Sequence, residues 1–320
     1  MRIGIFCGGF SSEAAISMKS ANTILQNFPK EHQGLLVEVT REGWFVYDGE
    51  SKCKLDLNNC SYKLGGESVL IEAALVYVHG DPGENGKLQA YFDLINVPVI
   101  NCSMLSSAIS FDKWFCNQFL KNFNIPMADS VIVHKEDAYD ENEIIARLGL
   151  PFFVKPTDSG SSYGISKVKA ASEFAKALTY GFSEGDTLVC EAFMDGIEVT
   201  CGTYQLGTEI YTLPLTEIVT DNDFFDYEAK YLGKSKEITP ANLQENVANE
   251  VAELSKKIYR LLQLKSLARI DFIIVNNRPM LIEVNTTPGF SPASIVPQQL
   301  ACAGISIASF WSEIIKDRLG

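Results

Sequence analysis

Late in the chain, the stretch "RIDFIIVNNRPMLIEVNTTPG" (residues 269–289) sets two apolar runs around a turn and plants Asp271, Glu283 and Asn285 inside them. Val275 ends the first run, Asn276, Asn277 and Arg278 supply turn chemistry, and Met280 opens the second run. That pattern predicts a β-hairpin centred near Asn277. With that centre, Asp271 lies across from Glu283 and Arg269 across from Asn285, all four on one face. Cross-strand Cβ atoms sit about 5 Å apart, so the two carboxylates would repel by roughly 3 kcal/mol at an effective dielectric of about 20. A cation between them removes that penalty. Two carboxylates and an amide oxygen suit a hard divalent ion such as Mg²⁺, which is commonly shared with substrate phosphates. The same residues would also make a solvated hairpin face with Arg269 neutralising one acid, and the hairpin alone does not choose between the two readings.

Other stretches carry weaker signals of the same kind. "FVKPTDSGSSYGISKV" (residues 153–168) places Lys155 at a strand end before a small-polar loop closed by glycine. Such a loop turns several backbone N–H groups onto phosphate oxygens, with Lys155 as a point charge. A plain surface hairpin is the alternative. Neither G-x-x-x-x-G-K-[ST] nor G-x-G-x-x-G after a strand occurs, which removes support for P-loop and dinucleotide-fold readings. Lys113, in "SFDKWF", reads by itself as a solvated helix lysine. In "CEAFMDGIEVTCGTY", Glu191 ends one strand and Glu198 opens the next, and the linker with Ala192, Phe193 and Met194 suits a purine ring; exposed edge acids are the alternative. "DNDFFDYEAKYLGKS" sets Phe224, Phe225, Tyr227 and Tyr231 beside Lys230, a composition typical of lids and binding loops. "NTTPGFSPAS" leaves backbone N–H groups near Gly289, with Ser294 placed to meet a carboxylate. His79, beside Gly80 in a turn, reads as structural rather than as a general base. His32, His79 and His134 have no nucleophile or acid at a triad-like spacing.

The elements that must position these residues follow from periodicity. The first hundred residues alternate strand and helix: "IGIF", "GLLVEVT", "ALVYVHG" and "VPVIN" read as strands, "AISMKSANTILQNF" and "KLQAYFDLIN" as helices. This alternation predicts a parallel α/β sheet whose ligand loops, "GGFSSE" (residues 8–13) and "HGDPGENGKLQ" (residues 79–89), lie beyond the carboxyl ends of the strands. A long helical pattern runs from Ser103 to Phe123. Strands "SVIVHK", "FFVKP" and "ISKVK" follow, with an acidic helix from about Ala138 to Leu148 and a helix at "ASEFAKALTYGF". A third region begins near Asp186 with strands "TLVCEAF", "IEVTCGTYQ" and "EIYTLPLTEIV". A helix opened by Pro240 and carrying Leu243, Val247, Val251, Leu254, Ile258 and Leu261 on one face then leads to the hairpin.

Bulk properties narrow the function classes. A chain of 320 residues with 46% hydrophobic residues is a globular protein of two or three domains. The formal charge of -13 disfavours a nucleic-acid partner while permitting a locally basic pocket for an anionic ligand. The eight cysteines form no CxxC pair and read as reduced thiols. No apolar run reaches membrane-spanning length, and the short run in "MRIGIFCGG" is not a signal-peptide core, so a cytoplasmic location is expected.

In their order along the chain, "GGFSSE", "HGDPGENGKLQ", "VKPTDSGSSYGISKV", "EAFMDGIEVT", "DYEAKYL" and "ARIDF…LIEVNTTPGFSPAS" resemble the ATP-grasp superfamily and, within it, the D-alanine–D-alanine ligases, over residues 8–295. The resemblance implies an α/β fold of three domains: 1–102, a central subdomain 103–188, and a C-terminal subdomain 189–320 with the metal site and a lid loop at about 221–239. It implies ATP as co-substrate and two Mg²⁺ ions, or Mn²⁺, on Asp271, Glu283 and Asn285. By the same resemblance Lys113, Lys155, Glu191, Met194 and Glu198 bind the nucleotide. Glu13, Ser161 and Tyr231 form a hydrogen-bonded triad at the first D-alanine. Arg269 and the Gly289 N–H hold an oxyanion, while Lys230, Ser294 and His79 serve the substrates. A homodimer is implied as well. Ala14 and Ala15 stand where relatives often carry a polar residue and a second acid, which leaves details of the first substrate site open. Tyr231 in the lid is expected of ligases that make the dipeptide rather than D-alanyl-D-lactate.

Overall fold

Short apolar runs and the loops between them build three sheets in the computed structural model, in which residues 1–158, 160, 163–220 and 235–320 are described. The first sheet contains β1 (Arg2–Gly8), β2 (Gln33–Thr40), β3 (Gly43–Asp48), β4 (Ser51–Asp56), β5 (Ser61–Leu64), β6 (Glu67–Leu70) and β7 (Ala73–Val76), in the order β6-β5-β4-β3-β2-β1-β7. Strand β1 runs parallel to β2 and β7, but β2 through β6 are antiparallel neighbours. The sheet is therefore mixed rather than wholly parallel. Its antiparallel half comes from residues 43–70, whose short, half-exposed strands alternate around the turns at Gly49 and Gly65–Gly66, both at positive φ. The run "VPVIN" forms only a single parallel bridge, Ala74 to Val99.

Helices α1 (Ala14–Gln26) and α2 (Lys87–Leu94) follow the strand ends that carry "GGFSSE" and "HGDPGENGKLQ". The helical pattern from Ser103 to Phe123 divides into α3 (Met104–Phe111) and α4 (Lys113–Lys121). Asp112 causes the break: its extended backbone and its carboxylate, which accepts from the Phe115 N–H, cap the second helix. Lys113 is thereby fixed at the first position of α4.

The second sheet has the order β10-β9-β11-β8, from β8 (Ser130–His134), β9 (Phe152–Pro156), β10 (Ser166–Val168) and β11 (Thr187–Ala192). Helices α5 (Glu141–Leu148) and α6 (Phe174–Gly181) pack on it around Phe152 and Phe174. The third sheet has the order β15-β14-β12-β16-β17, with β13 also pairing β12. Its strands are β12 (Ile197–Leu206), β13 (Glu209–Thr212), β14 (Thr216–Thr220), β15 (Ser235–Ile238), β16 (Leu267–Val275) and β17 (Arg278–Asn285). Helix α7 (Glu245–Leu261) starts five residues after Pro240 and buries Val247, Val251, Ser255, Ile258 and Tyr259, a three- and four-residue repeat.

The chain closes with α8 (Ile295–Cys302) and α9 (Ile307–Leu319), which return to the first sheet. Leu300, Phe310 and Trp311 share one core with Ile3, Ile5 and Leu75. Phe290, fully buried there, contributes roughly 2 kcal/mol or more of hydrophobic stabilisation. This packing brings the loop after β17 to the ends of β1 and β7. Among the described residues, no helix is long and apolar enough to cross a membrane. All eight cysteines are free thiols; burial pushes Cys7, Cys60, Cys116 and Cys190 up to about 12.

Candidate active site

Asn276 and Asn277, both at positive φ, form the two-residue turn of the β16–β17 hairpin and set Val275 opposite Arg278. Continued unbroken, that register would oppose Asp271 to Ile282 and turn Glu283 onto the other face. A bulge beyond Asp271 absorbs Ile282, and the pairs become Asp271 with Glu283 and Arg269 with Asn285. The expected register is therefore reached through a bulge. Arg269 grips the Asp271 carboxylate in a fork, Nε to Oδ1 at 2.9 Å and Nη2 to Oδ2 at 2.7 Å. Asn285 Nδ2 donates to Oδ2 at 3.1 Å, and Thr200 Oγ1 donates to Oδ1 at 2.5 Å. Asp271, only 5% exposed, thus has four donors on its carboxyl oxygens, which compensate the cost of burying it. The two carboxylates and the Asn285 amide form an oxygen donor set suited to a hard divalent cation.

Three loops converge on Glu13, which sits at the capping position before α1 and is 8% exposed. A methyl group on Gly80 would lie 3.5 Å from Glu13 Oε2, and one on Gly160 only 2.5 Å from it. The ends of β1 and β7 and the Gly/Ser loop after β9 therefore meet at one carboxylate. The loop after β17 is fastened to the same region: the Tyr77 hydroxyl donates to the Pro288 carbonyl at 3.1 Å, and the Phe290 N–H donates to Ser20 Oγ at 3.1 Å. Gly289 lies between these two anchors. Ser294 Oγ, at the head of α8, accepts from the Ser291 N–H at 3.0 Å.

His79 and Glu84 complete the cluster. Burial lowers the His79 imidazole's pKa against the opposing pull of Glu13, and the ring faces Ser20 Oγ at 3.2 Å. Burial, then the Glu13 carboxylate, push the Glu84 carboxyl up to about 8, although the Gly80 N–H donates to it at 2.8 Å. Glu283 adds to the rise and Arg269 opposes it. Glu84 holds more protons folded than unfolded between its ordinary pKa and about 8, so this part of the stability is complete at low pH and is lost as pH rises through that window. Glu84→Gln, which keeps an acceptor for Gly80, should therefore raise the melting temperature more at pH 9 than at pH 5, in chelator and without nucleotide. An equal shift at both pH values would show that the proton is not held there.

The central sheet supplies a second cluster. Lys155 on β9 and Glu191 on β11, 8% and 7% exposed, form a buried ion pair, and Asn117 Nδ2 of α4 donates to Glu191 Oε1 at 3.0 Å. The Lys113 N–H donates to the Thr157 carbonyl at 2.8 Å, which joins the start of α4 to the end of β9. Phe153 and Phe193 pair at 6.1 Å between centroids, with Lys167 Nζ 3.9 Å above the Phe193 ring. Met194 follows in the half-buried linker, and Glu198 opens β12 opposite Ile218 and Ile273. Ser161, Lys230, Tyr231 and most of the expected lid lie outside the described residues.

Family models describe both parts of this arrangement. Residues 2–102 match the N-terminus of D-ala D-ala ligase, and residues 119–316 match its C-terminus. The chain belongs to the D-alanine–D-alanine ligase family. A relative of that family, the D-alanine–D-alanine ligase of Parabacteroides distasonis, is 42% identical over 99% of this chain and 97% of its own length. Among solved structures of ligases, D-alanyl-alanine synthetase A from Vibrio cholerae superposes with a TM-score of 0.89 at 27% identity, covering 100% of this chain and 98% of the other. The Bacillus anthracis D-alanine–D-alanine ligase complexed with ATP superposes at 0.80 and 25% identity, over 100% and 97%.

Four residues outside the expected set lie in contact with the candidate site residues or brace the strands that carry them. Thr200 faces Asp271 across the β12–β16 ladder, a pairing that needs the strand order to be seen. Asn117 reaches Glu191 from a different element. Gln299, fully buried on α8, accepts the Gly202 N–H at 3.1 Å and donates to the Thr200 carbonyl at 3.0 Å, locking α8 to β12. Glu84 was legible in principle, as an acid inside a Gly-rich loop at a strand end.

Proposed function

We propose that this ligase joins two D-alanine molecules to D-alanyl-D-alanine, consuming one ATP through a D-alanyl phosphate and supplying a cell-wall peptide precursor. The reading is carried by one observation: a chain matching the ligase family at both ends sets the Asp271–Glu283 acid pair in register beside Arg269. A carboxylate oxygen of the first D-alanine attacks the ATP γ-phosphorus; the new O–P bond forms as the bond to the ADP oxygen breaks. Lys113 and Lys155 carry the phosphate charge, with Glu191, Met194 and Glu198 around the adenosine. Asp271, Glu283 and Asn285 would hold Mg²⁺ or Mn²⁺, which supplies charge neutralisation along the phosphates when bound. The neutral amine of the second D-alanine then attacks the acyl carbon. The tetrahedral oxyanion is stabilised by Arg269 and the Gly289 N–H, and phosphate leaves with the original carboxylate oxygen.

Glu13, with Ser161 and Tyr231, orients the first D-alanine, His79 borders that site, and Ser294 with Lys230 receives the second carboxylate. The aromatic lid excludes water that would hydrolyse the acyl phosphate. We place the reaction in the cytoplasm and its catalyst in a homodimer, as in the family it resembles. D-alanine labelled with ¹⁸O in both carboxylate oxygens should release phosphate carrying one ¹⁸O. Phosphate free of label would refute the acyl-phosphate route.

The role of Glu13 has its own test. Gly160→Ala presses a methyl group on the flexible end of Glu13, a cheap clash for the fold but a displacement of the orienting carboxylate. It should raise the KM for D-alanine about tenfold or more with little change in melting temperature. An unchanged KM would separate Glu13 from the substrate.

A further inference from the structure

A cavity of about 590 Å³ shares no lining residue with the candidate ligase site. It is bounded by α2, the 98–103 loop, β12, the end of α7 and α9. Its volume is that of a small-molecule site. Three cations line it, Arg260, Lys265 and Arg318, against one acid, Asp93, in a chain whose net charge is -13. The cations are held apart by the fold rather than by acids. Arg318 Nε donates to the Ile100 carbonyl at 3.2 Å, and Lys265 Nζ donates to Gln205 Oε1 at 3.4 Å. The Arg260 guanidinium makes no hydrogen bond or ion pair among the described residues.

The neutral part of the lining is polar as well. Ser103, Thr208 and Gln263 line the cavity with exposed hydroxyl and amide side chains. Asn101, also in the lining, accepts the Val76 N–H through Oδ1 at 2.6 Å. The wall therefore combines guanidinium and ammonium groups, which match phosphate, with hydroxyl and amide groups, which match the hydroxyls of a polyol.

We propose that this cavity binds a small phosphorylated polyol, its phosphate held by Arg260, Lys265 and Arg318 and its hydroxyls facing Ser103, Thr208 and Gln263. Such a ligand touches α2 and the 98–103 loop on one side and β12 and the end of α7 on the other, and would stabilise the folded chain by mass action. This site is independent of the ligase reading.

The test is calorimetric titration of the full chain with ribose 5-phosphate, with ribose and citrate in parallel, each with and without a non-hydrolysable ATP analogue. The expected result is saturable binding of ribose 5-phosphate that survives the analogue, exceeds that of ribose and citrate at least tenfold, and raises the melting temperature. Arg260→Glu should weaken it at least tenfold. Arg260→Gln, which removes only an exposed charge, serves if the first variant folds poorly. Absence of saturable binding, displacement by the ATP analogue, equal binding of citrate, or indifference to the Arg260 substitutions would overturn the assignment.

Discussion

Replacing Glu283 with glutamine should leave the chain folded and reduce turnover about a thousandfold or more, a loss of roughly 4 kcal/mol of transition-state stabilisation. The substitution changes one oxygen to an amide nitrogen and keeps the size of the side chain. Glu283 is half-buried on the face opposite Val284, which packs into the core, so the hairpin keeps its apolar side. What disappears is one of the two carboxylates that face each other across β16 and β17. Titration with Mn²⁺ in the presence of ATP, followed by paramagnetic resonance, should show weaker metal binding in parallel. A Glu283→Gln enzyme with wild-type turnover would contradict the metal assignment.

Arg269→Leu should cost both function and fold. The Arg269 fork is the one cationic contact on the buried Asp271 carboxylate among the described hydrogen bonds, and its loss leaves a buried charge with only the neutral donors Thr200 and Asn285. Breaking such a pair costs on the order of 3 kcal/mol, which thermal denaturation would resolve. Adding Asp271→Asn in the same chain should restore part of that stability while turnover stays lost, because the second change removes the orphaned charge but not the need for a cation at the oxyanion. The double-mutant cycle therefore separates the structural from the catalytic contribution. A single variant that melts like wild type would show that the fork does not hold Asp271, and one that turns over normally would remove Arg269 from the mechanism.

The hairpin shows how far a sequence carries such an argument. Its turn chemistry and alternation predicted the facing pairs, yet the two-residue turn alone would have misplaced Glu283; the bulge at Ile282 restores the register and leaves no mark in the apolar pattern. Asp112 had the opposite effect. A helical period ran straight through it, and a capping carboxylate broke the helix where the period gave no warning. The strands between Gly43 and Leu70 leave little signal because their alternation is short and half-exposed, although their glycine turns are visible.

Candidate site residues were legible wherever a charged group interrupted an apolar run, as at Lys155, Glu191, Asp271 and Glu283. Their partners were not. Lys155 with Glu191, Thr200 with Asp271, and Gln299 with the β12 backbone are contacts between elements distant in sequence, decided by strand order and helix docking. Glu84 was hidden for a related reason: an acid in a polar loop looks solvated until the loops around Glu13 close over it.

The most direct test of the ligase reading is ADP release from ATP and Mg²⁺ by the purified protein, with product mass followed in parallel, given D-alanine, L-alanine, or D-alanine with D-lactate. ADP release that requires D-alanine and yields D-alanyl-D-alanine even beside D-lactate is the predicted result. ADP release with another amino or hydroxy acid, and none with D-alanine, would contradict the substrate assignment.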